Sequence, residues 1–213
     1  MPERSFHHGD LRRALLSEAS RTLREDGLAA LSLRELARRT GVSHGAPRRH
    51  FPDRQALLDA LAEEGFRSLT GQMRDSTGPV ARLEEQFRAG AEAFVGFALA
   101  EPALMELMFT VKNDNPSPGL RAASEDFYVA SAELFGRLHA QGRLALAHPD
   151  RARMLLAATL QGIATLVGAG RLPVEDVDNL LHDAAAVFIL SPAAATSEAG
   201  AGHDGQARNA AAG

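Results

Sequence analysis

Apolar residues recur at helical spacing along most of the chain, and helix punctuation separates the runs. Leu11, Leu15, Ala19 and Leu23 follow one another every four residues, with Asp10 ahead of them as an N-cap. Gly27 stands where a left-handed residue closes a helix. Ser32-Leu33-Arg34-Glu35 is a capping-box sequence, in which Ser32 and Glu35 satisfy each other's orphan amides. The short helix that it opens carries Leu33, Leu36 and Ala37 inward and stops at Gly41. Ser43 is placed to cap a third short helix through about Phe51. Asp53 caps a longer helix bearing Leu57, Leu58, Leu61, Phe66 and Leu69. Small and polar residues predict a loop near 75–79. A helix then runs to about Ala100, with Phe87, Ala91, Phe94, Val95 and Ala98 inward. Pro102 sits in the first turn of a short apolar helix through Phe109, and Lys112 to Pro116 reads as a loop. Ser117-Pro118 is an N-cap followed by proline at the first helical position, opening a helix to about Gln141. Pro149 opens a helix ending near Gly168, and Pro173 opens the last, which ends before Ser191. No stretch alternates with period two. The pattern predicts an all-α fold of nine helices, with residues 191–213 as a disordered tail.

Composition narrows the function classes. Of 213 residues 45% are apolar, enough to bury a core. The absence of cysteine excludes a disulfide scaffold, thiolate metal sites and a cysteine nucleophile. No apolar leader occupies the first thirty residues, and no run reaches the ~18 apolar residues of a membrane span. A soluble, cytoplasmic protein is expected. The net charge is -4, which taken as a total argues against a polyanion partner. The charge is unevenly distributed, however. Residues 1–54 carry +4 and residues 55–213 carry -8, a basic head on an acidic body.

The head holds the most informative stretch, Leu33 to Phe51, with the logic of a helix-turn-helix. Ala37 is small where two helices cross, Gly41 makes the turn, Val42 fills the corner and Ser43 begins the second element. A helix enters the major groove only when another braces its flank across the backbone. An ordinary helical hairpin in a core has the same Ala…Gly spacing. The capping box, the arginines Arg38, Arg39, Arg48 and Arg49, expected to be exposed, and the continuation from Phe51 to Leu57 favour DNA binding.

At these residues the chain resembles the TetR family of one-component bacterial regulators. The resemblance extends through His50-Phe51-Pro52-Asp53-Arg54-Gln55-Ala56-Leu57, and His7-His8-Gly9-Asp10-Leu11-Arg12 resembles the N-terminal arm of one subgroup. It covers about residues 6–66 closely and 80–190 more loosely. It implies a homodimeric, all-helical regulator that binds a double-stranded DNA operator, usually a repressor released by a small-molecule effector. On that pattern residues 1–54 hold the DNA-binding domain, a helix over about 53–74 connects, and residues 75–190 form the ligand-binding and dimerisation domain. Arg48 stands where the family has a phosphate-contacting tyrosine, and a guanidinium can take over that contact. Arg54 replaces a lysine. Met108-Phe109 keeps a Met-Phe pair of the ligand domain, whereas Gln161-Gly162 and an alanine near 157 replace a His-Gly and a tryptophan.

Roles divide accordingly. Ser32, Arg48, Arg54 and His50 are phosphate candidates. Ser43, His44, Gly45, Ala46 and Arg49 are base-edge candidates, with Arg49 suited to a bidentate grip on guanine. Arg34 completes the DNA-facing set. Gly45 and Ala46 are also the small residues that a tight internal packing would need. Phe94, Phe97, Leu104, Met105, Met108, Phe109, Phe127 and Tyr128, with Gln161, have two readings: plain core, or the lining of a cavity for an apolar ligand with Tyr128 and Gln161 as polar handles. Leu155, Ile163, Val167, Val177, Leu181, Ala184 and Phe188 form broad apolar stripes on the last two helices. They are read as an isologous dimer interface or as a larger intrachain core. His7 and His8 have no companion ligands, so no metal or cofactor is expected, and no P-loop, dinucleotide fingerprint, His-Glu-x-x-His or nucleophile elbow signals an enzyme. The alternative reading is a ligand-binding protein, or an activator, of the same fold with altered or lost DNA recognition.

Overall fold

The computed structural model describes residues 8–76, 82–109 and 115–190. Eight α-helices account for most of them: α1 (His8–Asp26), α2 (Leu33–Thr40), α3 (Arg54–Ser76), α4 (Leu83–Ala100), α5 (Pro102–Phe109), α6 (Pro118–Ala140), α7 (Pro149–Gly168) and α8 (Val177–Phe188). Three single 3-10 turns, Leu28–Ala30, Pro47–Arg49 and Val174–Asp176, join them. The all-α class holds. The count is eight rather than nine because the segment after Ser43 forms a 3-10 turn. An isolated bridge between Leu144 and Ile189 is the only strand-like pairing among the described residues. The expected loops at 75–79 and 112–116 and the tail fall largely outside those residues, as does His7 of the arm.

Helix ends follow the punctuation except at the start of α1, which begins at His8 and so places Asp10 inside the helix rather than at its cap. The Ser32 hydroxyl accepts the Glu35 N–H at 3.1 Å, and Gly41 closes α2 in the left-handed region at φ 71°. No atom lies within 4 Å of the place where its Cβ would be, so only the backbone angle asks for glycine there. The Ser117 hydroxyl accepts the Leu120 N–H at the start of α6. Helix α3 runs to Ser76, two residues into the expected loop.

The chain sorts by packing into two compact units, residues 1–72 with 96–128, and residues 73–95 with 129–213. The boundaries fall within α3, α4 and α6. This grouping differs from a simple split near residues 54–75, because the segment 96–128 joins the N-terminal residues. The reasons are local. Helix α1 packs on α2 and on α5. The Arg24 guanidinium donates to the Glu101 carboxylate just ahead of α5, with Nε at 3.2 Å. Asp59 of α3, 5% exposed, accepts the Ser117 N–H at 2.7 Å and the Gln55 side-chain amide at 2.8 Å. The absence of a side chain at Gly65 lets Met108 and Leu104 of α5 approach α3, and the absence of one at Gly119 admits the Glu63 carboxylate. The bond of Asp59 to Ser117 and the approaches at Gly65 and Gly119 are long-range contacts that replace water around polar or apolar groups.

In the second unit α7 packs on α8. Phe87 and Phe135 meet at 5.8 Å between ring centroids. Arg143 joins Glu84 to the Leu190 carbonyl, and Arg137 donates to Gln86 at 2.6 Å. No described helix is long and apolar enough to cross a membrane.

Candidate nucleic-acid interface

Helix α2 is the brace. Leu36 and Ala37 are fully buried, the Thr40 hydroxyl donates to the Leu36 carbonyl at 2.6 Å, and the Val42 N–H returns to Ala37 at 3.0 Å. Val42 is half-buried at the corner, as its position implies.

The second element is tighter than the expected short α-helix. Pro47 has no N–H to offer the Ser43 carbonyl, and Ala46 takes that carbonyl instead, at 3.0 Å. Arg49 then bonds Ala46 at 3.2 Å and His50 bonds Pro47 at 3.0 Å, so the bonds are of the i to i-3 kind. Pro47 itself is buried as an anchor. Ser43, His44, Gly45, Arg48 and Arg49 are exposed, and Ala46 and His50 are half-buried. A Cβ on Gly45 would meet nothing within 4 Å. Internal packing therefore does not require glycine at 45, whereas close approach of an outside partner would. Arg34 is exposed and Ser32 half-buried. The Ser32 hydroxyl accepts from Glu35 and retains its own O–H as a donor.

Not every arginine of the head faces outward. Arg39 has only 20% of its side chain exposed and is held in an acidic socket: Glu35 at 2.8 Å, Asp26 at 2.6 Å, with Glu18 at 3.8 Å and Glu25 at 4.0 Å. The expectation of an exposed Arg39 is corrected, because its guanidinium ties α2 to α1. Arg38 pairs with the same Glu35 carboxylate at 2.5 Å and stays 68% exposed. The N–H groups of Arg38 first, then those of Arg39, hold the Glu35 carboxyl down at about 2. The bonds to Glu35 and Asp26 push the Arg39 guanidinium up in turn.

Arg54 also has a structural use. Its Nε donates to the Leu31 carbonyl at 2.9 Å and one Nη to Leu28 at 2.7 Å, stapling the α1–α2 connection to the start of α3. The Arg12 guanidinium lies 5.3 Å over the Phe51 ring, and Phe51 is buried. Sequence reasoning missed the Arg39 socket, the Arg54 staple and the Arg12–Phe51 stack. The i, i+3 and i+4 charges around Glu18, Arg21, Glu25, Glu35 and Arg39 were the available signal for the first. The other two join residues far apart in the chain.

The expected ligand and dimer residues are distributed as follows. In the first unit the Phe66 ring meets Phe109 at 5.3 Å and Phe127 at 5.7 Å, Phe109 meets Phe127 at 5.7 Å, and Tyr128 meets Phe127 at 5.4 Å. Phe66 was not among the candidates. Phe97, Met105 and Met108 are buried and Leu104 is half-buried, while Phe109 and Tyr128 remain partly open. In the second unit Phe94 is buried, whereas Gln161 is exposed on α7. Of the interface candidates, Ile163, Val177, Leu181, Ala184 and Phe188 are buried by the chain itself, Val167 is half-buried and Leu155 is exposed. The apolar side chains left open on α7 and α8 are Met154, Leu155, Leu166 and Val187.

Two family models match the chain. One, described as bacterial regulatory proteins of the tetR family, matches residues 15–61. The other, a tetracyclin repressor-like C-terminal domain, matches residues 87–188. A solved Rhodococcus protein of unknown function is 39% identical, with a TM-score of 0.76 over 86% of this chain and 95% of that one. A second Rhodococcus structure, described as a bacterial regulatory protein of the tetR family, shares the fold at 13% identity and a TM-score of 0.69, over 84% of this chain and 97% of that one. The HTH-type transcriptional regulator BetI of Cronobacter sakazakii is 34% identical over 82 residues, 38% of this chain and 38% of that protein. The match thus spans well under half the length of that curated relative.

Proposed function

The chain belongs to the tetR family of bacterial regulatory proteins, and from that premise we propose that it is a homodimeric repressor released from a palindromic operator by a small, largely apolar ligand. The observation that carries the DNA-reading role is the edge of Ser43, His44, Gly45, Arg48 and Arg49. These residues stand exposed on a turn anchored by Pro47 and braced by α2, with open space over Gly45. Arg49, Ser43, His44, Gly45 and Ala46 read base edges. Ser32, Arg34, Arg48 and His50 hold phosphates, setting register without reading sequence. Arg54 shares its guanidinium between the Leu28 and Leu31 carbonyls and the phosphate side. Division by role follows the sequence: residues 1–54 read DNA, the helix over 53–74 connects, and residues 75–190 sense ligand and dimerise.

Support for the dimer is the apolar surface of α7 and α8. Leu155, Thr159, Gly162 and Leu166 recur at i, i+4, i+7 and i+11 and are all exposed, so they form one stripe. An isologous contact through that stripe buries it against its own copy. A ligand that binds better to the dimer form with misplaced reading heads shifts the equilibrium away from the operator by that difference in affinity. The test is a gel shift with DNA flanking the protein's own gene. Retardation at low salt, lost on Arg49→Ala with the fold intact, supports the reading, and no retardation by folded dimer overturns it.

A further inference from the structure

Helical threonines usually return their hydroxyl to the carbonyl one turn back. Thr40, Thr159 and Thr165 do so, at 2.6, 2.9 and 2.8 Å. Thr70 of α3 does not: it is 2% exposed, and its hydroxyl is buried with no hydrogen-bond partner. A buried hydroxyl left unpaired costs folding free energy. Thr22 of α1 shares this state, and the surroundings set Thr70 apart. Asp59, Glu63 and Phe66 follow one another at i, i+4 and i+7 along α3, and they meet α6 at Ser117, Gly119 and Phe127 in turn. Thr70 is four residues beyond Phe66, the next position of that stripe. Thr70 therefore continues the face on which Phe66, Phe109 and Phe127 gather, Phe109 edge to face with both others and Phe66 tilted against Phe127.

We propose that Thr70 is the polar handle of a small-molecule site made with Phe66, Phe109 and Phe127, and that the site takes a neutral aromatic molecule carrying one hydroxyl or carbonyl oxygen. The proposal rests on the ligand-binding reading above and adds to it the contact and the class. Three phenyl rings favour an aromatic body packed against their faces and edges. The carboxylates on the same stripe are already engaged, Glu63 by Arg67 and Asp59 by Ser117 and Gln55, so a charged group among the rings would be desolvated without a counter-ion of its own. A hydroxyl that can both donate and accept matches one oxygen on the ligand.

The probes are 4-methylphenol and para-xylene, which differ by a hydroxyl in place of a methyl, just as Thr70→Val replaces hydroxyl by methyl. Calorimetric titration of the full chain with each probe is expected to show a preference for the phenol that falls about tenfold or more in Thr70→Val and is restored in Thr70→Ser. The melting temperature of ligand-free Thr70→Val is expected to equal or exceed that of the parent, because the variant removes an unpaired hydroxyl. Equal preference in parent and Thr70→Val, no binding of either probe to folded protein, or a clear drop in melting temperature each overturns the proposal. DNA retardation measured on the same samples judges the regulator reading separately.

Discussion

The Asp59 carboxylate of α3 receives the backbone N–H of Ser117 at 2.7 Å, so that the helix following the DNA-reading segment holds the first turn of α6. Both partners belong to one compact unit. Asp59 is nearly buried, and its loss leaves an amide without a partner. Asp59→Ala is therefore expected to destabilise the protein by about 2 kcal/mol, a fall of roughly 4–8 °C in melting temperature for a chain of this size. A thermal melt of the ligand-free protein checks it, and an unchanged melting temperature removes Asp59 from the account of the fold.

Two glycines separate backbone need from partner approach. Gly41 lies at φ 71°, and Gly41→Ala is expected to cost ~1 kcal/mol through the left-handed strain alone. Gly45 has open space around it and carries no such angle. Gly45→Ala is expected to leave the melting temperature within a degree or so of the parent while weakening DNA binding. Binding isotherms and melts of both variants should show opposite patterns, and equal losses of stability would show that Gly45 serves packing.

The arginines sort in the same way. Arg39→Ala opens the socket between α1 and α2 and is expected to lower the melting temperature. Arg49→Ala is expected to keep the melting temperature and to weaken binding by ~1–3 kcal/mol at one base step of the operator. Operator variants with single substitutions distinguish base reading from phosphate contact, since a phosphate contact weakens every sequence alike.

Glu35 sets an acid limit on this arrangement. Its folded carboxyl is held down at about 2 by Arg38 and Arg39, below the ordinary value near 4.5. A depressed folded value contributes stability that is fully present above the unfolded value and disappears as pH falls toward the folded one. The contribution is thus complete above about pH 5 and lost on the way to about pH 2. Acid titrations of parent and Glu35→Gln, followed by circular dichroism, are expected to converge at the low end and to separate above pH 5. The gap should narrow in high salt, because the pairs are solvent-facing.

Much of the fold was legible because helix ends are written locally. Ser32 with Glu35, Gly41, Pro102, Ser117-Pro118 and Pro149 each marked an end that the structure places within a residue or two. The turn at Pro47 was misjudged in kind: with one N–H missing, Ala46, Arg49 and His50 bond from i to i-3, and the i to i-4 pattern returns at Phe51, whose N–H reaches Pro47. Longer reach was not legible. Arg54 to Leu28, Arg24 to Glu101 and Asp59 to Ser117 join positions 26, 77 and 58 residues apart, and no local pattern announces them. The stripes of α7 and α8 show a related limit. Periodicity named the apolar residues, yet it could not say which side its own chain covers. Ile163, Val177 and Leu181 went inside, and Leu155 stayed open, beside Met154 and Leu166 of the same helix.

Leu155→Glu with Leu166→Glu places two like charges on each copy at the proposed contact, and where the parent is expected to sediment as a dimer the variant is expected to sediment as a monomer. Helical content should be kept, because neither residue is buried in the single chain. A dimer that survives the double substitution puts the interface elsewhere.

Footprinting tests whether the edge from Ser43 to Arg49 reads DNA. The full-length protein is titrated at low salt onto the DNA flanking its own gene. Two protected half-sites related by a dyad, with centres about one helical turn or a multiple of it apart, are expected, with protection lost in Arg49→Ala. Folded, dimeric protein that leaves the whole region unprotected at every concentration would contradict the account.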